Sequence, residues 1–330
     1  MRRFMFVVLA LLLGMLAHKP ALAQTRPVKN ITVLANFAFS GRHSPFFVAL
    51  DKGYLKEAGF NANIQPAAGS GFVISAVESG KADYGLADAG TVVQAIAKGA
   101  KVKGYQVFVD VVTEGLVALK PYPTPASVLG KSIAASATDA ARTILPIILK
   151  TKGLDASKLH WIAASPATHF TLLLSGQTDI VTATIDGDMP PLTNIAEKQG
   201  KKVYFSSFSG WGYDVLGLIF IANASSLEKN PDEVKRFAAA MKKAVEFSIK
   251  HPEDAARIMV KYNPTRKYDV TLAQWKQSIK AIATPYMKAH GFGVATPDRV
   301  ERTIGLVKDA FTLKTNLKPD DVWMFGVATN

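Results

Sequence analysis

The sequence predicts an α/β fold of two lobes, each built on a mostly parallel sheet with flanking helices and joined to the other lobe by two hinge crossings. Three observations carry this prediction. Short strand-like runs alternate with helical runs along most of the chain, which is typical of parallel sheets. An apolar helix followed by Ser-Gly-x-x-Asp and a strand occurs twice, at 72–84 and 168–180, which indicates a duplicated architecture. The roughly 307 residues after Ala23 exceed the ~250–300 that one hydrophobic core usually serves.

The first 23 residues have the composition of an export signal. Arg2 and Arg3 precede an apolar run at 4–16, and residues 21–23 (Ala-Leu-Ala) form a small-x-small cleavage site. The run is shorter than the ~20 residues that a membrane span needs. We therefore expect cleavage after Ala23 and a periplasmic location. A lipoprotein anchor is excluded because it requires a cysteine, and the chain has none.

The composition also excludes several classes of site and partner. Without cysteine there is no disulfide, thiol nucleophile, Cys-ligated zinc or iron–sulfur cluster. The formal charge is +13, and the signal segment, with three basic and no acidic residues, leaves +10 for the rest. The lysines are scattered, whereas nucleic-acid binding needs a clustered basic patch with stacking aromatics. We expect a solubilising basic surface, no nucleic-acid partner and a monomer.

The alternation of strands and helices defines the first lobe. Strands are expected at 31–35, 61–64, 82–87 and 102–109. Helices are expected to begin at Ser44-Pro45, after the Gly-Ser-Gly turn at 69–71, and at Thr91. Glycines just beyond the apolar runs end these helices. Each helix therefore begins in a loop that follows a strand.

A proline-rich segment at 120–125 interrupts this alternation, because its three prolines suit neither a helix nor a central strand. We interpret it as the crossing into a second lobe, with strands at 132–135, 161–164 and 179–184. A second crossing near 208–215, between strands at 203–207 and 216–222, returns the chain, and helices dominate from Pro231 onward. The predicted division assigns 24–119 and 214–330 to the first lobe and 120–213 to the second.

Familiar enzyme motifs are absent from the sequence. It contains no GxSxG elbow, no P-loop and no HExxH. No two histidines have metal-ligand spacing. Asp186 and Asp188 could form a carboxylate pair, although Asp-Gly-Asp-Met-Pro-Pro is more often a turn. We therefore predict a protein that is not an enzyme and that has no cofactor and no metal site.

The candidate binding residues lie in the loops that follow strands, because ligands of open parallel sheets bind beyond the carboxyl ends of the strands. Helix N-termini in these loops also present unpaired N–H groups. The loops supply Phe37, His43, Ser44, Ser70, Gly71, Asp88, Thr138, Asp139 and Asp186. Gly71 belongs to a tight turn that lets the backbone approach a ligand. Helix capping is the alternative for Asp88, Thr138 and Asp139.

The order of several short motifs resembles the periplasmic solute-binding proteins of ABC importers. The motifs are FVALDKGYLKEAG at 47–59, ESGKADYG at 78–85, LGKSI at 129–133, LSGQTD at 174–179 and NPDEVKRF at 230–237. Within that group the chain is similar to the branch that takes thiamine pyrimidine precursors, nitrate, sulfonates and taurine. The resemblance covers nearly all of the chain after the signal.

The resemblance implies a type II periplasmic-binding fold that closes on a small solute and delivers it to a permease and its ATPase in the inner membrane. It places His43, Ser70, Asp88, Thr138, Asp186 and residues 211–213 at the cleft, which adds Trp211 and Tyr213 to the predicted ligand-binding set. Fungal pyrimidine synthases share this fold but use a Cys-rich iron motif. This chain has no cysteine, so the sequence does not support that activity.

The class of ligand stays open between two alternatives. Aromatic walls and carboxylates suit a pyrimidine or another aromatic heterocycle. The residues that could supply them are Phe37, His43, Trp211, Tyr213, Asp88 and Asp186. Sulfonate, nitrate or carboxylate anions need guanidinium groups, for which Arg42 and Arg142 are candidates. We favour the heterocycle, with core packing as the alternative role of Phe37 and Trp211. A secreted enzyme and an extracellular sensor module on the same fold are further alternatives.

Overall fold

The computed structural model describes residues 28–311, 313 and 316–328, so the predicted signal at 1–23 lies outside the described residues. The strands in this part of the chain are β1 (Lys29–Leu34), β2 (Phe60–Gln65), β3 (Tyr84–Asp88), β4 (Val102–Val109), β5 (Glu114–Ala118), β6 (Ser132–Ala135), β7 (His160–Ala163), β8 (Ile180–Thr184), β9 (Tyr204–Ser207) and β10 (Leu218–Asn223). Every strand predicted from the sequence is present, and β5 is a strand that the sequence did not predict.

Helices connect the strands and form the C-terminal part of the chain. They are α1 (Ser44–Asp51), α2 (Tyr54–Glu57), α3 (Ser70–Glu78), α4 (Ala89–Ala97), α5 (Ala141–Thr151), α6 (His169–Leu174), α7 (Met189–Lys198), α8 (Ala224–Lys229), α9 (Pro231–Lys250), α10 (Pro252–Tyr262), α11 (Tyr268–Ile282), α12 (Pro285–His290), α13 (Pro297–Phe311) and α14 (Pro319–Val322). Short 3-10 turns lie at Gly41–His43, Pro125–Val128 and Ala156–Lys158. No helix within 28–311 or 316–328 is both long and apolar enough to cross a membrane.

The first sheet has the strand order β2-β1-β3-β10-β4. Strand β1 is parallel to β2 and β3, whereas β10 runs antiparallel between β3 and β4. All five residues of β3 are buried, which suits a central strand covered by helices on both faces.

The second sheet repeats this arrangement with the order β7-β6-β8-β5-β9, in which β5 runs antiparallel between β8 and β9. Each sheet receives its antiparallel strand at a crossing. The chain passes from β4 to β5 at 110–113 and returns from β9 to β10 at 208–217. The first change of sheet therefore comes before the proline-rich segment at 120–125.

The repeated Ser-Gly-x-x-Asp motif has the same structure in both lobes. Its glycine ends a helix in the left-handed region, at φ +75° for Gly80 and +76° for Gly176. Its aspartate accepts a backbone N–H from a strand of its own sheet, Asp83 from β1 at 2.8 Å and Asp179 from β6 at 3.0 Å. The two lobes therefore share a local construction as well as a strand order.

Hydrophobic layers cover both faces of each sheet. In the first lobe, α1, α9 and α10 pack on one face and α3 and α4 on the other. In the second lobe, α6 and α7 cover one face and α5 covers the other. Helix α13 contacts both α4 and α5, so it packs against the two lobes at once. The layers fix the loops at the facing edges of the two sheets, where the candidate site lies.

Candidate ligand-binding site

The interlobe cleft lies where the loops that follow the parallel strands of the two sheets face each other. It holds about 580 Å³ of space, which includes open solvent at its mouth. The first lobe lines it with Asn36, Phe37, Ala38, Ser40, Arg42, His43, Gly69 and Ser70. The second lobe lines it with Glu114, Gly115, Asp139, Ala140, Ala141, Thr182, Ala183, Thr184, Gly187 and Asp188.

His43 is buried, and both of its ring nitrogens are engaged. The backbone N–H of Ser40 donates to Nδ1 at 3.0 Å, so the ring proton is on Nε2, which donates to Oδ1 of Asn36 at 3.1 Å. Burial and the charges of Arg42 and Arg266 lower the pKa of His43 to about 3. The ring is therefore neutral and holds the Asn36 amide in place at the cleft.

Arg42 and Asp186 form a buried ion pair across the two lobes. The guanidinium donates from Nε to Oδ2 of Asp186 at 2.8 Å and from Nη2 to both Oδ1 of Asp186 and Oγ1 of Thr113. Ser278 on α11 donates to the same carboxylate at 2.7 Å. Burial alone would raise the pKa of Asp186, but the Arg42 charge outweighs it and lowers that pKa. The charge of Arg42 is therefore matched inside the protein.

Three carboxylates of the second lobe, Glu114, Asp139 and Asp188, line the interlobe cleft. Burial raises the pKa of each. The charge of Arg42 offsets this in part for Glu114 and Asp188, and hydrogen bonds offset it in part for all three. Asp139 accepts the backbone N–H of Ala141 at 2.9 Å and the hydroxyl of Thr182 at 2.9 Å. Asp188 accepts the backbone N–H and the hydroxyl of Thr184. Their charges face a cleft whose cationic lining residue is already paired.

The loops that follow β2 and β6 close the cleft away from the crossings. The carbonyl of Ala68 accepts the hydroxyls of Ser136 and Thr138. The backbone N–H of Gly71 donates to the Thr138 carbonyl at 3.1 Å. Gly69 has φ +138°, and a Cβ there would overlap that carbonyl oxygen. The glycine therefore permits the close approach of the two loops.

Phe37 forms an aromatic contact between the lobes. Its half-buried ring meets His169 edge-on, with 6.2 Å between ring centroids. The His169 ring also lies against Phe170 at 3.9 Å. Nδ1 of His169 is buried and has no hydrogen-bond partner among the described residues. Phe37 thus presents an aromatic surface to the cleft.

Asp88 and Tyr213 lie behind the cleft, near the crossings. Asp88 caps α4, because its Oδ1 accepts the N–H and the hydroxyl of Thr91 at 2.7 and 2.8 Å. Burial and the charge of Glu114 raise the pKa of Asp88 to about 8. Its Oδ2 and the hydroxyl of Tyr213, which lies against Gly90, are buried without a partner in the described part of the chain. Neither side chain reaches the cleft surface.

The structure divides the sequence-predicted site residues into two groups. The cleft brings together Phe37, His43, Ser70 and Asp139. The others lie outside its lining: Ser44 and Asp88 at helix starts, Gly71 and Thr138 in the loop contact, Asp186 in the ion pair with Arg42, Trp211 with its indole N–H on the Pro123 carbonyl, and Tyr213 against Gly90.

Sequence reasoning missed Glu114, Thr182 and Thr184, and it treated Asp188 as a turn residue. Glu114 lies at the amino end of β5, whereas the predicted ligand-binding residues come from loops after the carboxyl ends of strands. Because β5 is antiparallel, Glu114 pairs with Thr184 at the carboxyl end of β8 and so reaches the same edge. A single carboxylate ahead of the apolar run 115–118 was the signal that could have identified it.

Comparison with known proteins gives relatives of two kinds. The 4-amino-5-hydroxymethyl-2-methylpyrimidine phosphate synthase THI12 of Saccharomyces cerevisiae is 24% identical over 294 residues, which cover 82% of this chain and 85% of the relative. A solved protein of Bordetella bronchiseptica RB50 superposes with a TM-score of 0.73 at 20% identity, covering 90% of this chain and 95% of that one. The alkanesulfonate-binding protein SsuA of Xanthomonas axonopodis pv. citri, bound to MOPS, gives 0.64 at 16% identity, with 91% and 99% covered. These likenesses confirm the predicted two-lobed periplasmic-binding fold.

The names of the curated relatives contradict the prediction that the protein is not an enzyme. The relatives from Saccharomyces cerevisiae, Candida albicans and Aspergillus parasiticus all carry the name of a pyrimidine phosphate synthase. The prediction was wrong because it relied on the absence of particular motifs. Missing hydrolase, phosphate-loop and zinc motifs do not exclude catalysis by carboxylates, amides and hydroxyls that converge only in the folded cleft.

The family described as NMT1/THI5 like matches residues 40–255, which is more than half of the chain. The match begins just before the 3-10 turn that carries Arg42 and His43 and ends in α10. It therefore includes most of the cleft residues of the first lobe and all of those of the second. The motif order that resembles the thiamine-precursor branch of the solute-binding proteins lies largely within it. The chain belongs to the NMT1/THI5 like family.

Proposed function

We propose that the protein is the extracytoplasmic solute-binding component of an ABC importer, and that it captures one small molecule in the interlobe cleft. The observation that carries the proposal is the cleft itself, which is lined by residues of two lobes that are joined by two chain crossings. A ligand that contacts both lobes favours the closed form in proportion to its extra contacts there. In this proposal the signal is removed after Ala23 and the monomeric protein delivers its solute from the periplasm to a permease with its ATPase.

A planar aromatic heterocycle, such as a pyrimidine, is the ligand that the lining favours. Phe37 offers a ring face or edge on one side. The Asn36 amide and the carboxylates of Asp139 and Asp188 offer acceptors and donors for ring nitrogens and amino groups. The synthases with about a quarter of their residues identical are named for a pyrimidine product, which supports the same class.

The alternative, a sulfonate, nitrate or carboxylate ligand, has less support from the geometry. SsuA, which shares the fold, is named for alkanesulfonates. The guanidinium of Arg42 is paired with Asp186. The guanidinium of Arg142 donates to the carbonyls of Ser136 and Ala135 and lies 4.7 Å from the Trp161 ring. Both arginines considered for an anion are therefore engaged within the protein.

A thermal-shift screen over pyrimidines, sulfonates, nitrate and aromatic acids tests the proposal. A ligand at a hundredfold excess over its dissociation constant adds about 2.7 kcal/mol to the free energy of unfolding. We expect a pyrimidine or related heterocycle to raise the melting temperature of the wild type and to lose this effect in Phe37→Ala. The matched control is Phe72→Ala, because Phe72 is 47% exposed on α3 and does not line the cleft. The absence of a shift with any class of solute would overturn the proposal.

Catalysis on a pyrimidine is the second candidate, favoured by the names of the curated relatives. The two candidates differ in what happens to the ligand. Import predicts stoichiometric binding and recovery of the unchanged solute after denaturation, whereas catalysis predicts turnover. Mass spectrometry of the recovered solute, together with the location of the permease and ATPase genes relative to this gene, separates them. A neighbouring histidine kinase gene would favour a sensor instead.

A further inference from the structure

The charges that line the interlobe cleft do not balance. Glu114, Asp139 and Asp188 contribute three carboxylates from the second lobe. The cationic residue in the lining is Arg42, and its guanidinium is bound to Asp186 with both side chains almost fully buried, at 3% and 0% exposure. His43 adds no positive charge, because Ser40 donates to its Nδ1. The lining therefore carries an excess of negative groups.

Glu114 combines burial with a place in the cleft lining. The residue is only 7% exposed, yet it lines the cleft. Its Oε2 accepts the backbone N–H of Thr113 at 3.1 Å. The ionised form of a buried carboxyl is costly, and a cation or a charged N–H donor in the cleft would offset that cost.

Asp188 lies at the same edge of the sheet as Glu114. Glu114 pairs with Thr184 in the β5–β8 ladder, and Asp188 accepts from Thr184 through its Oδ2. Both carboxylates are therefore next to Thr184, and all three residues line the cleft. Paired acceptors of this kind suit a planar group with several N–H donors.

We propose that the interlobe cleft selects a planar solute that carries a positive charge on N–H donors, such as an amidinium or a protonated aminoheterocycle, over anions of the same shape. This inference rests on the proposed function, since it specifies the solute of the same cleft. Glu114 and Asp188 bind the donors, Phe37 packs against the plane of the ring, and Asn36 supplies a further polar contact at the edge. An anion would instead meet three acidic side chains, and the Arg42 guanidinium is already bound to Asp186.

Isothermal titration with four probes of similar shape tests the charge preference: benzamidinium, benzamide, benzoate and benzenesulfonate. We expect benzamidinium to bind at least about tenfold more tightly than benzamide, and the two anions to bind more weakly than benzamide. Glu114→Gln should reduce the affinity for benzamidinium about tenfold while that for benzamide changes little. The matched control is Glu197→Gln, at an exposed position on α7 of the same lobe. Asp188→Asn provides a second variant, and a thermal melt checks that both variants fold.

The outcomes separate this inference from the proposed function. Tighter binding of benzoate or benzenesulfonate than of benzamidinium, or an anionic solute as the best ligand in the broad screen, overturns the charge preference and leaves solute binding intact. Equal affinity for benzamidinium in wild type and Glu114→Gln overturns the role of Glu114. Failure of every probe and of every class in the screen overturns the proposed function and this inference together.

Discussion

His43 influences the cleft through Asn36, because both of its ring nitrogens are already bonded within the first lobe. Ser40 fixes the tautomer, and the Nε2 proton fixes the orientation of the Asn36 amide. The sequence predicted that this loop brings His43 to the ligand, and the structure places His43 in the cleft lining. Its hydrogen bonds to Ser40 and Asn36 were not predictable, because bonds within a loop depend on its folded path, which residue types alone do not determine.

The neutral state of His43 predicts a pH-dependent loss of stability in acid. The pKa of His43 is about 3 in the folded protein, whereas an unperturbed histidine has a pKa of 6.5. The unfolded chain therefore takes up the proton first as the pH falls. The stability that the neutral ring contributes is complete above pH 6.5 and is lost as the pH falls toward 3, by up to about 1.4 kcal/mol per pH unit. Urea unfolding of wild type and His43→Gln should show a difference that shrinks over this range. A difference that is independent of pH would contradict the account, and His290→Gln is the control at an exposed histidine.

The raised pKa of Asp88 predicts that stability changes with pH in the direction opposite to that predicted for His43. Burial and Glu114 raise its pKa to about 8 from 3.8, so the folded state favours the protonated carboxyl. The stability from this group is complete below pH 3.8 and is lost as the pH rises through about 8. Asp88→Asn keeps the acceptor for Thr91 and should be more stable than wild type at pH 9, with a gain that disappears toward pH 4. Denaturant unfolding at several pH values measures this gain, and a variant that is less stable at every pH would refute it.

Asp179→Asn is a useful contrast for the Asp88 experiment. Hydrogen bonds from Ser132 lower the pKa of Asp179. The stability that the Asp179 carboxylate contributes is therefore present at neutral pH and is lost in acid. The two substitutions should therefore change stability in opposite directions at neutral pH.

At the scale of elements, sequence patterns predicted the parallel strands and the helices that follow them. Apolar runs, capping residues and terminal glycines are local signals, and they correctly placed α1, α3 and α4 within a few residues. Strand β5 was missed because its place between β8 and β9 depends on pairing with distant segments. The same pairing brings Glu114 to the cleft, so one missed strand explains one missed site residue.

The contact between the loops after β2 and β6 predicts a specific role for Gly69. Alanine there is strained by the positive φ, and its Cβ would also push against the Thr138 carbonyl. Gly80→Ala is a matched control, because it has φ +75° and nothing within 4 Å of the new Cβ. We expect both variants to lose about 1–2 kcal/mol from backbone strain. Only Gly69→Ala should also enlarge the radius of gyration and weaken solute binding, as measured by small-angle scattering and calorimetry. Identical behaviour of the two variants would show that the loop contact does not hold the lobes together.

At the scale of the whole molecule, the two lobes are joined by polar contacts that are independent of any solute. The Arg42–Asp186 pair is the most buried of them, and Gln274 on α11 adds a bond to the Gly187 carbonyl. These contacts hold the second lobe against α11 of the first. They stabilise the closed form, in addition to the stabilisation that contacts with a solute would give.

Removal of Asp186 should therefore destabilise the protein strongly. Asp186→Ala leaves the Arg42 guanidinium buried without its partner, which typically costs about 3–5 kcal/mol. Asp214→Ala is the matched control, because the pair between Asp214 and Arg302 is largely exposed and should contribute little. Urea unfolding measures both changes. A loss in Asp186→Ala no larger than that in Asp214→Ala would contradict the structural role of the pair.

Native mass spectrometry most directly tests the central claim that the interlobe cleft captures a solute. The purified protein is incubated with a small-molecule extract of growth medium and measured before and after denaturation. We predict one small molecule bound per chain in the wild type and in Phe72→Ala, and its loss in Phe37→Ala. No bound molecule in the wild type, or equal occupancy in Phe37→Ala, would contradict the account.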